Sequence, residues 1–127
     1  MGLCKIETKS APAAIGPYSQ AVKAGSLLFL SGQIPIDPDT GAIVAGGIEA
    51  QARQVMKNLH AVLCAAALDF DALVKTTVYL VNLDDFDVVN GIYGECFGAT
   101  PPARATVQVS ALPKGVMIEI DGIAVAG

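Results

Sequence analysis

Charge, histidine, cysteine and tryptophan are all scarce in this 127-residue sequence. Charged side chains make up 16% of the residues, tryptophan is absent, and His60 is the single histidine, so a histidine-based metal cluster is excluded. The cysteines Cys4, Cys64 and Cys96 are odd in number and never spaced as CxxC. This usage predicts free thiols in a reducing compartment, so we expect a cytoplasmic protein, with an organellar home left open.

Basic residues and long apolar runs are equally scarce. Eight lysines and arginines stand against twelve acidic residues, for a net charge of −4, and the basic residues are scattered singly. Because nucleic-acid-binding surfaces usually carry a basic stripe, nucleic acid is a disfavoured partner. The longest apolar run, Ala61 to Leu68, is far shorter than the roughly 18 residues of a membrane span. No secretory core or arginine-rich transit segment is visible, so no membrane partner is expected.

Apolar content is what the sequence has in excess, since 53% of its residues are hydrophobic. A single domain over residues 1–127 would bury roughly two-thirds of its unfolded surface, which suffices for a core without metals or disulfides. With so few charged residues for the exterior, some apolar surface should remain outside that core. Such surface on a small domain usually marks self-association, so a homo-oligomer is predicted.

The order of patterns along the chain predicts a β-β-β-α-β-α-β-β domain of the α+β class. Turn signals and β-branched segments predict strands at 4–8, 21–23, 27–31, 74–81, 103–109 and 117–125. Helical spacing runs from 48 to about 67, and a second helix is expected from a cap at Asn82 or Asp84 to Gly98. Its apolar stripe is Phe86, Val89, Tyr93 and Phe97. Two such helices cover one face of the sheet, so a partner subunit is expected on the other.

Arg104 is the most informative residue, because the sequence holds only two arginines and this one lies in an apolar predicted strand. Strand alternation puts it on one face together with Thr106 and Gln108. A guanidinium among apolar neighbours needs an anionic partner. One interpretation is a structural ion pair with Glu119 or Asp121. The other is a fork that binds a ligand carboxylate through two parallel hydrogen bonds.

Glu119 interrupts the last predicted strand at a position where an apolar core residue is expected. It is either a solvent-facing residue of an edge strand or a carboxylate that positions or deprotonates a water. Ser31 and Gly32 end a predicted strand and could present a hydroxyl and a backbone N–H to an anion. Tyr18 follows a Gly-Pro turn and could anchor a loop or cover a pocket. His60, in the middle of a helix, fits a helix-surface or partly packed side chain better than a catalytic one.

Together these residues resemble the RidA family of reactive intermediate deaminases, the YjgF-type proteins. The resemblance runs nearly from end to end and keeps the motifs in order. They are Ala11-Pro12-Ala13-Ala14-Ile15-Gly16-Pro17-Tyr18, Leu30-Ser31-Gly32-Gln33-Ile34-Pro35, Gln51-Ala52-Arg53-Gln54, Val74-Lys75-Thr76-Thr77-Val78-Tyr79-Leu80 and Val89-Asn90-Gly91-Ile92-Tyr93. The family's C-terminal signature is matched by Pro102-Ala103-Arg104 and Ile118-Glu119-Ile120.

The resemblance implies a chorismate-mutase-like α+β fold and a homotrimer with three clefts between subunits. The implied reaction is that of a hydrolase acting on C=N bonds: 2-iminobutanoate and 2-iminopropanoate, in equilibrium with enamines, become 2-keto acids and ammonia without metal or cofactor. Arg104 would hold the substrate carboxylate, and Glu119 would orient the attacking water. The cleft would be lined by Tyr18, Ser31, Gly32, Phe86, Asn90 and Thr106, partly from the neighbouring chain.

The sequence departs from the family pattern at one position, and two other functions are left open. Many relatives carry cysteine where this chain has Thr106, so hydrolysis survives if that position contributes only its backbone carbonyl. Some family members are described as endoribonucleases or inhibitors of translation, and a non-catalytic protein that binds small carboxylates is a third hypothesis. The acidic balance disfavours RNA, whereas the presence of both Arg104 and Glu119 favours the enzyme.

Overall fold

The computed structural model describes residues 2–126 as one six-stranded mixed sheet with two helices. In chain order the elements are β1 (Cys4–Ile6), β2 (Ala21–Ala24), β3 (Leu27–Gln33), α1 (Gly47–Ala65), β4 (Leu73–Leu80), α2 (Phe86–Gly94), β5 (Ala103–Gln108) and β6 (Ile118–Val125). Single 3-10 turns cover Phe70–Ala72, Leu83–Asp85 and Pro113–Gly115. The predicted α+β class and the predicted order of strands and helices are confirmed.

α1 forms where the apolar residues recur at helical spacing, and it buries Ala52, Val55, Leu59 and Val62 against the sheet. It ends at Ala65, slightly before the predicted boundary. The reason is a left-handed turn at Ala67, where φ is 60°, with the N–H of Leu68 donating to Leu63 O at 2.9 Å. This pairing satisfies carbonyls that the helix leaves free at its C-terminus.

α2 begins near the predicted cap but is shorter than predicted. Asn82 caps the 3-10 turn that leads into it, since its side-chain oxygen accepts a hydrogen bond from Asp84 N at 2.9 Å. The helix ends at Gly94 rather than Gly98. After Gly94 the backbone forms 3-10-type hydrogen bonds, in which each N–H donates to the carbonyl three residues earlier; Cys96 N, for example, donates to Tyr93 O at 3.1 Å. The last stripe residue, Phe97, therefore lies outside the helix.

The strands lie in the order β1-β2-β3-β6-β4-β5. Neighbouring strands pair antiparallel except β4 and β5, which are parallel and are connected through α2. β1 and β5 are therefore the two edges, whereas β6 lies inside the sheet between β3 and β4. The interpretation of Glu119 as an edge-strand residue is wrong, because its strand is hydrogen-bonded on both sides.

Both helices pack on one face of the sheet and make a single core with it. Leu28, Leu80, Ile118 and Ile120 from the strands and Leu59 from α1 are each buried to within 1%. The opposite face, called the open face below, carries apolar side chains that no element of residues 2–126 covers. Its exposed members are Leu27, Phe29, Val107 and Val125. The predicted surplus of apolar surface is thus present, and part of it lies on the open face.

Within residues 2–126, neither helix combines the length and the hydrophobicity that crossing a membrane requires. The same part of the chain holds no group of three or more His, Cys, Asp or Glu side chains arranged for a metal ion. Cys4 and Cys64 are exposed free thiols, and Cys96 is a half-buried one.

Candidate active site

Arg104 lies on the edge strand β5, where it pairs in register with Thr76 of β4. Its side chain points to the helix side of the sheet and rests on α2. Nη1 donates to Asn90 Oδ1 at 2.7 Å, and the guanidinium carbon is 5.5 Å from the Phe86 ring centroid and 5.0 Å from that of Tyr93. Two aromatic rings and one neutral amide thus hold the cation.

This environment corrects two expectations for Arg104. The residue is exposed, because β5 is an edge strand and not an internal apolar one. The hypothesis of an ion pair with Glu119 or Asp121 is wrong, since within residues 2–126 the guanidinium forms no salt bridge. Both acidic residues lie on β6 and point to the open face, whereas Arg104 points to the helices. The positive charge therefore stays without a carboxylate partner in this part of the chain.

Thr106 follows Arg104 on the same side of β5, as the alternation predicts. Its Oγ1 atom is buried and, among residues 2–126, has no hydrogen-bond partner. The residue borders an open groove of about 530 Å³ together with Phe86, Asp84 and Asp87. Arg104, Asn90, Phe86, Tyr93 and Thr106 are called the Arg104 cluster below. Within this cluster the unpaired guanidinium is the group that suits an anionic ligand.

Glu119 belongs to a second cluster on the open face, where it lies opposite Tyr79 of β4. The register between β3 and β6 shifts between Leu30 and Gln33, and this irregularity brings Gly32 onto the carboxylate. A Cβ at Gly32 would overlap Glu119 Oε2, so only glycine leaves room for the carboxylate as it stands. Burial raises the pKa of Glu119, and the nearby Asp121 raises it further.

Gly32 connects two further predicted residues to this site, since it lines a cavity together with Tyr18 and follows Ser31 in the chain. Tyr18, Ser31, Gly32 and Glu119 are called the Glu119 cluster below. Tyr18 is 51% exposed and borders a cavity of about 240 Å³ that Gly32 and Ile34 also line. The Ser31 hydroxyl donates to the carbonyl of Ser19, so it holds the loop in place and keeps only acceptor capacity for a ligand. Asn58 of α1 fixes the far wall, because its side-chain amide donates to Ile34 O at 3.1 Å and to Ile36 O at 3.0 Å.

The predicted site residues therefore form two clusters, and a single chain does not bring them together. Phe86, Asn90, Arg104 and Thr106 face the helix side at the β5 edge. Glu119 faces the open side, and Gly32 lies against its carboxylate. Because alternate residues of a strand point to opposite faces, no side-chain movement within one chain joins Arg104 to Glu119.

Sequence reasoning missed two residues that shape these clusters. Tyr93 was expected only as part of an apolar stripe, yet its ring supports Arg104 while its hydroxyl bonds the buried Thr76 hydroxyl at 2.6 Å. Its position three residues after Asn90 on α2 was the available signal. Tyr79 donates to Asp121 at 3.1 Å beside Glu119, and burial raises its pKa, with Asp121 adding to the shift. Its pairing with Glu119 depends on the strand order, which no local pattern specifies.

Comparisons with known proteins agree with this fold. The family described as endoribonuclease L-PSP matches residues 8–126. Protein DfrA of Myxococcus xanthus is 58% identical over 123 residues, which cover 95% of this chain and 94% of that protein. The mouse (Mus musculus) protein named 2-iminobutanoate/2-iminopropanoate deaminase is 51% identical over 122 residues, which cover 96% of this chain and 90% of the mouse protein.

A solved structure gives the same result in three dimensions. The crystal structure of E. coli TdcF with bound serine superimposes with a TM-score of 0.92 at 46% identity and covers 96% of this chain and 98% of its own. The superposition covers nearly the whole chain, and the family match leaves out only the first seven residues and the last one. On both counts this chain belongs to the endoribonuclease L-PSP family, the RidA or YjgF-type proteins that its motifs resemble.

Proposed function

We propose that this protein is a 2-imino acid deaminase, a hydrolase that converts 2-iminobutanoate, 2-iminopropanoate and their enamine tautomers into 2-keto acids and ammonia. The observation that carries the proposal is the state of Arg104, a guanidinium positioned by aromatic rings and the neutral Asn90 amide. Relatives at about 50% identity that are named for this activity support it.

Arg104 suits a carboxylate because of the donors it has left. Asn90 takes one N–H of Nη1, and the remaining N–H groups of the planar fork have no acidic partner within residues 2–126. A fork of this kind binds a carboxylate through two parallel hydrogen bonds. The bound serine of the related TdcF carries such a carboxylate. We therefore assign Arg104 to the carboxylate of the imino acid and Thr106, the next residue on that side of β5, to the wall of the site beside it.

Besides a partner for the substrate carboxylate, the reaction needs a base next to the imine carbon, and we assign that role to Glu119. Its carboxylate would take a proton from water as the water oxygen forms a bond to C2 of the protonated imine. The same carboxyl would then return a proton to the amino group, and the C2–N bond breaks with loss of ammonia. The hydroxyl on C2 passes its proton to the Glu119 carboxylate as C2 becomes the keto carbon, and that proton leaves with ammonia as ammonium. A pKa raised by burial makes Glu119 a stronger base than an exposed carboxylate. Since a protonated imine is already electrophilic, positioning it beside water accounts for much of the catalysis.

A second copy of the chain brings the two clusters together in this proposal. Arg104 and Glu119 lie on opposite faces of one sheet, so an active site holding both needs the Arg104 cluster of one chain and the Glu119 cluster of another. The open face, with Phe29, Leu27 and Val125 exposed, is an apolar surface that association would cover. A closed ring of three copies would use every cluster, which is the homotrimer that the resemblance implies.

Subunit complementation tests both the activity and the shared site. Arg104→Ala and Glu119→Gln chains carrying different tags are coexpressed, and mixed oligomers are isolated through both tags. Keto-acid release is measured with imine that a serine or threonine dehydratase generates. We expect each variant alone to be inactive and the mixed oligomer to recover part of the wild-type rate, because some of its sites combine an intact Arg104 with an intact Glu119.

Two outcomes would contradict the proposal. If verified mixed oligomers stay inactive, the site is not shared between chains. If Arg104→Ala alone keeps the wild-type rate, the carboxylate role of Arg104 fails.

Ribonuclease activity is the second candidate, and the description of the family favours it. The net charge of −4 and the scattered basic residues disfavour a path for RNA. Incubation of RNA with protein free of contaminating nuclease distinguishes the two functions. Cleavage that Arg104→Ala and Glu119→Gln both abolish would favour the ribonuclease, and intact RNA beside active imine hydrolysis would favour the deaminase. Binding of a 2-keto acid without hydrolysis would leave the non-catalytic carboxylate-binding hypothesis.

A further inference from the structure

The cavity of about 240 Å³ beside Gly32 offers more space than the short side chains of the proposed substrates fill. At about 30 Å³ for a group the size of a water molecule, it has room for several non-hydrogen atoms beyond an ethyl group. Its walls are largely apolar, with Pro12, Ile15 and Ile34 among them. Gly32 connects it to the proposed base, because this residue both lines the cavity and lies against the Glu119 carboxylate. The cavity is therefore placed to receive a part of the substrate that lies beyond the reacting carbon.

Gln33 lines this cavity with hydrogen-bonding capacity left over. The residue is only 5% exposed, and within residues 2–126 its side chain makes one hydrogen bond, a long one of 3.4 Å from Nε2 to Ser31 O. Nε2 keeps a second N–H, and Oε1 has no partner in that part of the chain. Because a buried amide without partners is costly, its place on the cavity wall points to a polar group inside the cavity.

Lys114 and Tyr18 add an ammonium group and a hydroxyl to the lining of the same cavity. Among the described residues the Lys114 ammonium belongs to no ion pair, and the Tyr18 hydroxyl has no hydrogen-bond partner. Asp37 and Asp39 flank the lining residue Pro38, but Asp37 accepts a hydrogen bond from Asp39 N at 2.8 Å and neither pairs with the lysine. No acidic side chain of residues 2–126 lines the cavity, so its free donors favour an anion.

The backbone at Lys114 is unusual for a residue other than glycine. It is left-handed, with φ 58° and ψ 19°, and Gly115 is also at positive φ, 69°. Val116 N donates to Pro113 O at 3.3 Å, which closes a tight turn with both central residues at positive φ, as in type I′. Asparagine or glycine is the usual residue at the first central position, so lysine is strained there. Strained residues of this kind cluster at ligand sites, which fits a lysine retained for its ammonium group.

We propose that this cavity, called the Lys114 pocket below, binds the second carboxylate of a dicarboxylic 2-imino acid such as 2-iminoglutarate. Lys114 supplies the opposite charge, Gln33 and Tyr18 donate hydrogen bonds to the same carboxylate, and the apolar walls contact the methylene groups. The inference rests on the proposed function, because it takes the substrate side chain to extend from the carbon beside Glu119 past Gly32 into the pocket.

Binding of the keto-acid products tests the Lys114 pocket separately from turnover. The intact protein is titrated by calorimetry with 2-ketobutanoate, which has one carboxylate, and with 2-ketoglutarate, which has two. We expect 2-ketoglutarate to bind at least about tenfold more tightly, since its second carboxylate gains charge-assisted hydrogen bonds. With imines that an amino-acid oxidase generates in the assay, kcat/KM should follow the same order.

Lys114→Asn separates the ammonium group from the turn. Asparagine tolerates left-handed φ, so the variant should fold with an unfolding midpoint at or above that of the wild type. It should weaken 2-ketoglutarate binding about tenfold more than 2-ketobutanoate binding, because only the dicarboxylate uses the ammonium. Lys57→Gln is the matched control, since Lys57 is an exposed lysine of α1 that forms no ion pair within residues 2–126, and it should leave both affinities unchanged.

The outcomes separate this inference from the proposed function. Equal affinities for the two keto acids in the wild type, or an undiminished preference in folded Lys114→Asn, would overturn the inference, while hydrolysis of 2-iminobutanoate would still support the deaminase. A preference for 2-ketoglutarate that depends on Lys114, in a protein without imine hydrolysis, would support the Lys114 pocket and contradict the deaminase. Absence of both binding and hydrolysis would overturn both.

Discussion

The Arg104 cluster and the Glu119 cluster are supported by different kinds of structure. Arg104 stands on an edge strand, is exposed, and is held by side chains of α2. Glu119 stands on an internal strand, is half-buried, and lies against the backbone of Gly32. One cluster thus presents a charge outward on a surface that a second copy can meet, whereas the other keeps a carboxylate inside a tightly fitted sheet. Substitutions should therefore act on binding in the first cluster and on carboxylate position or ionisation in the second.

Removal of the guanidinium is expected to have the largest effect. Arg104→Ala should lower kcat/KM for imine hydrolysis about 100- to 1,000-fold, because the substrate carboxylate loses a bidentate charged partner. Stability should change little, since the residue is exposed. The matched control is Arg53→Ala, which removes the other arginine, an exposed residue of α1 paired with Glu49 and Glu95. A loss of similar size in the Arg53 variant would mean that the effect is not specific to the Arg104 cluster.

A methyl group at Gly32 tests the tight fit of the second cluster. In Gly32→Ala the new Cβ would displace the Glu119 carboxylate, so kcat should fall about 10- to 100-fold. The thermal unfolding midpoint should drop only slightly, because the displaced atoms are the end of a flexible side chain. Gly98→Ala is the control, since a Cβ there meets no atom within 4 Å. Unchanged kcat in Gly32→Ala would show that the position of Glu119 is not critical.

A competing charge beside the guanidinium should affect binding more than turnover. Asn90→Asp would place a carboxylate 2.7 Å from Arg104 Nη1 and give the arginine an internal ion pair. We expect KM to rise about tenfold with a smaller change in kcat, since the substrate must now displace the aspartate. Asn90→Ala separates the loss of the amide from the gain of the charge. A lower KM in the aspartate variant would contradict the assignment of Arg104 to the substrate carboxylate.

Removal of the second carboxylate near Glu119 should produce the smallest effect, a shift in the pH profile. Burial raises the pKa of Glu119 and Asp121 adds to the shift, so Asp121→Asn should lower that pKa while Asn still accepts the bond from Tyr79. Because the ionised form of Glu119 is the base, activity is lost as the pH falls through this pKa. The acidic limb of kcat/KM should therefore move to lower pH in the variant.

The exposed Asp71, on the 3-10 turn after α1, offers the control variant Asp71→Asn. A shift of the acidic limb in the opposite direction, or the same shift in both variants, would contradict the assignment of that limb to Glu119.

Several features of the clusters were predictable because they depend on local chemistry. Alternation placed Thr106 and Gln108 on the side of Arg104, and the structure agrees, since Gln108 Oε1 accepts from Leu83 N of the adjacent turn at 2.9 Å. The cap at Asn82 was predicted because its side chain satisfies a free N–H of the turn. The end of α2 was placed too late, because a glycine at 98 indicates where a helix can stop and not where packing makes it stop.

By itself the sequence determined the order and type of the elements, the faces of each strand and the family. These follow from periodicity, turn residues and motifs, which act over a few neighbouring positions. Only the tertiary structure decided that β6 lies inside the sheet, that β5 is an edge, and that Arg104 and Glu119 point away from each other. Strand order depends on how the apolar side chains of all the strands and helices are buried together. That burial is a property of contacts between segments that are distant in the sequence.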